Sequence, residues 1–204
     1  VTVAPEIPGG GGRSRLRLVE GGADGVGARR AVVRDAGGKG GEAAEGVGGD
    51  EFRRALAAHA AGVVVVTALP EGEPVGMTAT SFSSVSLSPP LVSFYVARTS
   101  TTWPRLRLAA GFAVNVLASH QAEVAARFAA KGVDRFAHPT RWTEGPDGVP
   151  LLDDVSAHLV CRTHHTAEVG DHILVLGLVT ATSVEGAGRP LLYHQGRFGR
   201  FLEH

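Results

Sequence analysis

The chain has 204 residues, with 20 Lys and Arg against 20 Asp and Glu, so its formal net charge is zero with His neutral. That balance provides no basic surface for nucleic acid or for an anionic membrane. A single cysteine, Cys161, excludes an intrachain disulfide, and no run approaches the roughly 18 apolar residues of a membrane span.

Residues 1–49 hold about half of the 28 glycines, mixed with Arg, Glu and Ala and lacking any aromatic residue. Such a segment cannot bury enough apolar surface to offset its ordering entropy, so it is expected to be a disordered Gly-rich extension. The opening V-T-V-A-P-E-I-P-G-G-G-G-R lacks the basic-then-apolar order of a secretory signal, and a reducing cytoplasm is the expected compartment. The G-G-K-G-G run around Lys39 has no Ser or Thr after the Lys and no strand before it, which removes a phosphate-loop reading.

The folded part is expected from Asp50 to His204. Asp50 suits a helix N-cap, with Phe52, Leu56 and Ala60 along one side and Gly62 as the stop. Val63-Val64-Val65-Val66-Thr67 is a β-branched run suited to a strand buried on both faces. The turn Glu71-Gly72-Glu73-Pro74 leads into a second strand, Val75 to Ser88, and the two should form a hairpin. That second strand is odd, because Thr78, Ala79, Thr80, Ser81, Ser83, Ser84, Ser86 and Ser88 stand where Val or Leu would normally be. A strand that gives up packing volume lets something flat or anionic approach its backbone. Pro89-Pro90 ends it, and Leu91 to Val96 follows as the next strand.

Arg98 to Thr102 is a polar loop, and Pro104 suits the first turn of a short helix ending at Gly111. Phe112 to Leu117 alternates as a strand, and Ser119 suits the cap of a helix from His120 to Lys131 with Val124 and Phe128 on one face. Gly132 to Pro150 is turn-rich, with Trp142 as its anchor. Val155–Glu168 and His172–Val184 read as a long hairpin around Val169-Gly170-Asp171, and Pro190 to Phe198 closes the chain. Six or seven short strands with tight turns and two or three short helices favour a nearly closed antiparallel barrel over a doubly wound sheet.

Five stretches now stand in order: G-M-T-A-T-S-F-S-S-V-S-L-S-P-P-L from Gly76, R-T-S-T-T-W from Arg98, F-A-V-N-V-L from Phe112, G-D-H-I-L-V-L-G-L-V from Gly170, and P-L-L-Y-H-Q-G-R-F from Pro190. Together they resemble the flavin reductase family, which includes the reductase components of two-component flavin-dependent monooxygenases. The resemblance covers about three quarters of the chain, and residues 1–49 have no counterpart in it. It implies a mainly β fold, the antiparallel, Greek-key-like FMN-binding split β-barrel, and a homodimer with flavin near the subunit interface. It also implies hydride transfer from NADH or NADPH to FMN (or FAD), with the reduced flavin passed to a separate oxygenase. A flavoprotein that holds FMN tightly and serves another acceptor, or a non-catalytic flavin- or haem-binding split barrel, is the alternative.

By the same resemblance, the flavin ring lies against Met77-Thr78-Ala79-Thr80, where small side chains let backbone amides reach its polar edge. Thr80 replaces the Asn that many relatives carry. Ser81 and Ser84, with the loop that follows Ala97 through Arg98, Ser100 and Thr102, match contacts to the ribityl and phosphate. Phe128 and Lys131 fall where the family's helix approaches the flavin, although the spacing of Phe128 also suits the core. Tyr193, Arg197 and Phe198 match a segment that closes the flavin or dinucleotide site. His172 matches the residue beside the nicotinamide pocket, where it would orient that ring rather than begin the chemistry. The alternative is that Gly170-Asp171-His172 is only a hairpin turn, with Asp171 making a local turn hydrogen bond, and the functional reading is preferred.

Other chemistries find less support. Adjacent His164 and His165 should face opposite sides of a strand, which disfavours a shared metal ion. No G-x-S-x-G elbow or G-x-G-x-x-G fingerprint occurs in the folded region, so the nicotinamide nucleotide would bind over the flavin without a dinucleotide domain of its own.

Overall fold

The computed structural model describes residues 46–202 apart from positions 185 and 187. The expected disordered extension therefore lies outside the described residues, except for its last four. The elements in chain order are α1 (Gly49–Ala57), β1 (Ala61–Gly62), β2 (Val64–Ala68), β3 (Val75–Ala79), β4 (Ser83–Leu87), β5 (Pro90–Ala97), α2 (Trp103–Leu106) and β6 (Gly111–Val116). They continue as α3 (Ala122–Ala129), β7 (Trp142–Glu144), β8 (Pro150–Leu152), β9 (Ala157–Val169), β10 (His172–Val184), β11 (Leu191–His194) and β12 (Arg197–Arg200).

Seven strands form one antiparallel sheet in the order β3-β2-β6-β9-β10-β5-β4. Its two edges, β3 and β4, are consecutive in the chain, so the sheet must roll to bring them together. The result is the expected mainly β split barrel with a few short helices. A small sheet β1-β11-β12 and the pair β7-β8 lie outside it.

The hydroxyl-rich stretch expected to be one strand is two. β3 pairs with β2, β4 pairs with β5, and Thr80-Ser81-Phe82 form the corner between them. The corner is pinned by a tertiary contact: the Tyr95 N–H donates to Ser81 Oγ at 3.0 Å. β2 is buried along its whole length, as its β-branched run predicts. β6, expected to alternate, is buried on both sides, because Phe112 and Val114 join the barrel cluster while Ala113 packs with Val149 and Val160.

One cluster fills the barrel, with Val64, Val66, Phe94, Val96, Phe112 and Val175 at its centre; Phe94 and Phe112 meet edge to face at 5.4 Å. A second lies between the outer face of β2 and α3, around Val63, Val65, Leu117, Ala125, Phe128 and Leu191. Phe128, Phe136 and Trp142 stack edge to face in series at 5.1 and 5.6 Å, which makes Trp142 the anchor of the turn-rich segment. A polar tie crosses this core. Asn115 Nδ2 donates to Val65 O and Thr67 Oγ1, its Oδ1 accepts from Leu152 N–H, and Thr67 donates to Pro150 O. Every group in it is paired, which is the condition for burying such atoms without penalty.

Helix ends depart from expectation. α1 is capped at Gly48 rather than Asp50 and ends at Ala57, with Phe52 and Leu56 exposed and nothing in it buried. Asp50 pairs instead with Arg53 inside the helix. α3 begins after Gln121, not Ser119; the Gln121 side chain accepts from Ala118 N–H and donates to Asp153 O. The long hairpin β9-β10 turns at Gly170-Asp171 as expected, with Gly170 at φ 58°. No helix among the described residues is long and apolar enough to cross a membrane.

Candidate active site

β3 supplies two faces. Val75, Met77 and Ala79 pack toward the barrel interior, with Met77 partly buried against the core cluster. Gly76, Thr78 and Thr80 alternate to the other face, under α3. Gly76 has to lack a side chain, because a Cβ there would sit 2.7 Å from the Phe128 ring and 3.0 Å from Val66 O.

Beyond Gly76 the face opens into a hollow of about 540 Å³ lined by Thr78, Thr80, Ala126, Ala129, Ala130, Tyr193, Gly196 and Phe198. Alanines on α3, hydroxyls on the strand and an aromatic pair from the β11-β12 hairpin form its walls; Tyr193 and Phe198 meet at 5.4 Å. A flat ring suits such a wall set, since small side chains leave room for it and aromatic ones cover it. The Thr78 hydroxyl donates to Ala125 O at 2.6 Å, so its proton is committed to the scaffold. Phe128, expected among the flavin contacts, is corrected to a core residue: its ring has no exposed surface. Lys131 is exposed at the end of the helix segment.

A second cavity, of about 590 Å³, continues along β3 past Val75 and Gly76, with Thr101, Thr102, Arg105, Arg135 and Trp142 on its walls. Arg105 pairs with Glu73 at its rim, 2.8 Å apart. The 98–102 loop is ordered by its own hydroxyls. Ser100 Oγ accepts from Thr102 N–H and Trp103 N–H at 3.2 and 3.3 Å, holding the first turn of α2. Thr102 Oγ1 accepts from Arg135 at 2.7 Å. Arg98 is exposed, and its backbone N–H donates to Asp171 O at 2.9 Å.

That last bond brings the loop to the second informative site. Ala97 is the register partner of His172. His172 Nδ1 lies 2.6 Å from Asp171 Oδ1. This hydrogen bond, and then the charge of His172, hold the Asp171 carboxyl below its usual range. With Nδ1 engaged, Nε2 is the ring atom left to meet a ligand. The Thr80–Phe82 corner is near, since Ser81 binds Tyr95, two residues along β5 from Ala97.

Thr78, Thr80 and Tyr193 thus share one hollow, Thr102 lines the next, and Ala97, Arg98 and His172 stand together at the turn. Ser84 is not brought to either cavity; it lies on β4, paired with Val92. Arg197 is exposed on β12. His164 is the bulged residue between the Leu176–His165 and Gly177–Thr163 pairs, so strict alternation fails there. No group of three or more His, Cys, Asp or Glu side chains converges on a cation site among the described residues. Arg135 and the α3 alanines were missed at the sequence level. The signal for the wall was the run A-A-R-F-A-A from Ala125, small residues at helical spacing.

The flavin reductase like domain profile matches residues 56–201. An NADH:FMN oxidoreductase from Rhodococcus qingshengii is 42% identical over 163 residues, 78% of this chain and 85% of that one. The reductase subunit of a flavin-dependent monooxygenase from Rhodococcus jostii is 38% identical over 161 residues, 79% and 82% of the two chains. The solved NADH:FAD oxidoreductase from Streptomyces globisporus, in complex with NAD and FAD fragments, superposes with a TM-score of 0.71 at 41% identity, over 75% of this chain and 92% of that one. The profile match, these identities and the shared barrel agree: the chain belongs to the flavin reductase-like family.

Proposed function

We propose that the protein is an NADH-dependent flavin reductase that reduces FMN or FAD and supplies the reduced flavin to a partner monooxygenase. The relatives' activities support this. The single structural observation that carries it is the hollow beside Thr78 and Thr80. Its small-residue wall fits a tricyclic ring, and it lies next to a hydroxyl-rich loop suited to a phosphate.

Bound flavin supplies the acceptor for a hydride from the reduced nicotinamide. The chain binds and orients. Backbone amides of Met77 to Thr80 face the ring edge, Tyr193 and Phe198 close over it, and Arg98 with the Ser100 and Thr102 hydroxyls takes the phosphate. His172, held by Asp171, orients the nicotinamide ring, whose close stacking is the main requirement of hydride transfer. Ser81 serves chiefly by fixing the corner through Tyr95.

The active species is a homodimer. Phe94, Val96 and Val175 fill the barrel, so the alternate residues Tyr95, Leu174 and Leu176 of β5 and β10 form an apolar outer stripe, continued by Leu91 and Leu178. A second copy is the natural cover for a stripe on a self-complementary face. A buried unpaired Cys161 and a nicotinamide co-substrate suit the cytosol.

The deciding experiment is NADH oxidation with added FMN, FAD or no flavin. Turnover that depends on flavin supports the assignment. Its absence in folded protein, together with no quenching of flavin fluorescence, would overturn it.

A further inference from the structure

Arg135 lies in the turn-rich segment after α3, half-buried, and its guanidinium meets acceptors from three elements. Nη1 donates to Gly76 O on β3 at 2.6 Å and to Thr102 Oγ1 at 2.7 Å. Nε and Nη2 donate to Ala130 O, at 3.2 and 2.6 Å. None of these partners is a carboxylate. Burial accordingly lowers the Arg135 pKa from its usual value, and an unpaired cation in this position has an unfavourable desolvation term to offset. The carbonyls do the offsetting, above all Ala130 O at the C-terminal end of α3, where the helix dipole is negative. Only a planar fork can reach all three acceptors at once, which a lysine ammonium cannot do.

The three elements so joined are those that line the site. Gly76 is two residues from Thr78 on the ring-binding strand. Ala130 ends the helix whose alanines form the wall of the hollow. Thr102 closes the loop that faces the second cavity. Because Thr102 Oγ1 accepts from Arg135, its own hydrogen must point away from the guanidinium.

We propose that Arg135, through its bonds to Gly76 O and Thr102 Oγ1, is the positioning residue that holds the 98–102 loop in register with β3 and thereby sets the site's preference for phosphorylated flavin over riboflavin. The inference rests on the assignment of the phosphate to that loop. Loss of Arg135 unlinks Thr102 from Gly76, so the loop loses its fixed register against β3. The ring hollow keeps its Thr78–Ala125 tie, so riboflavin, which has no phosphate, should lose little.

The test is steady-state kinetics with FMN and with riboflavin on the wild type, Arg135→Ala and Arg135→Lys, with circular dichroism as the check on folding. For Arg135→Ala the FMN KM should rise about ten-fold while the riboflavin KM and both kcat values stay within about three-fold. Arg135→Lys should fall between, and it carries the test if the alanine variant does not fold. Equal KM increases for both flavins would make Arg135 a general scaffold residue and overturn the proposal, as would unchanged KM values in a folded variant. If the wild type itself fails to prefer FMN to riboflavin, the phosphate assignment falls and the proposal with it; that outcome is told apart because it shows before any substitution.

Discussion

The hydroxyl of Thr78 lies 2.6 Å from the main-chain carbonyl of Ala125, so β3 is fastened to the helix that walls the hollow beside it. The Thr78→Val substitution keeps the shape and removes the donor. The net loss for one such bond is about 1 kcal/mol, equivalent to a melting temperature lower by roughly 3 °C for a domain of this size. Because the hollow widens when α3 loosens, the FMN KM should also rise a few-fold, by roughly the same free energy. Thr78→Ser should restore both. An FMN KM that stays put while the protein melts lower would confine the tie to stability.

His172 and Asp171 form the second testable pair, 2.6 Å apart at the hairpin turn. His172→Ala removes the group assigned to the nicotinamide. The expected result is an NADH KM raised about ten-fold with a lower kcat and an FMN KM near that of the wild type. Asp171→Asn should move the NADH KM in the same direction by less, because the ring remains but loses its fixed orientation. Wild-type kinetics in His172→Ala would reduce Gly170-Asp171-His172 to a turn.

Much of the barrel was legible in the residues themselves. The run Val63 to Thr67 announces a strand buried on both faces, and β2 is one; the spacing around Gly170 announces the hairpin that β9 and β10 form. The break at Thr80 to Phe82 was not legible, since hydroxyl residues carry no hydrophobic period to interrupt. What bends the chain there is the Ser81–Tyr95 bond, a contact made only in the fold. α1 misled for the opposite reason: Phe52 and Leu56 have helical spacing, yet both are about half exposed, at 54% and 53%. In the site, Thr78 and Tyr193 were reached through motif resemblance. Arg135 was not, because a lone arginine in a turn segment looks solvated until its three acceptors are assembled around it.

The outer stripe of β5 and β10 predicts association. Leu176 is opposite Ser93 in register, at the centre of a row that runs from Tyr95 and Leu174 to Leu91 and Leu178. Sedimentation should therefore report twice the chain mass for the wild type. Leu176→Glu places a charge in that row, and burying it without a partner is unfavourable by several kcal/mol on the order of a weak dimer's whole stability. The variant should sediment as a monomer with its circular dichroism unchanged. A monomeric wild type at micromolar concentration would remove the dimer from this account.

Cys161 gives a pH dependence whose sign is fixed by burial. The thiol is wholly enclosed between Phe112 and Gly177, and that enclosure pushes its pKa up to about 12. In the unfolded chain the group titrates near its ordinary value, about 8.5. Between these limits the unfolded state sheds the proton and the native state keeps it, so stability is full below the unfolded value and declines as pH rises toward the folded one. Urea midpoints should fall from about pH 9 upward, more steeply in the wild type than in Cys161→Ala, which lacks the titrating group. The native thiol should also resist a disulfide reagent at pH 8 and react at once in denaturant. Prompt labelling of the folded protein would mean that the barrel opens beside β9 far more readily than its packing implies.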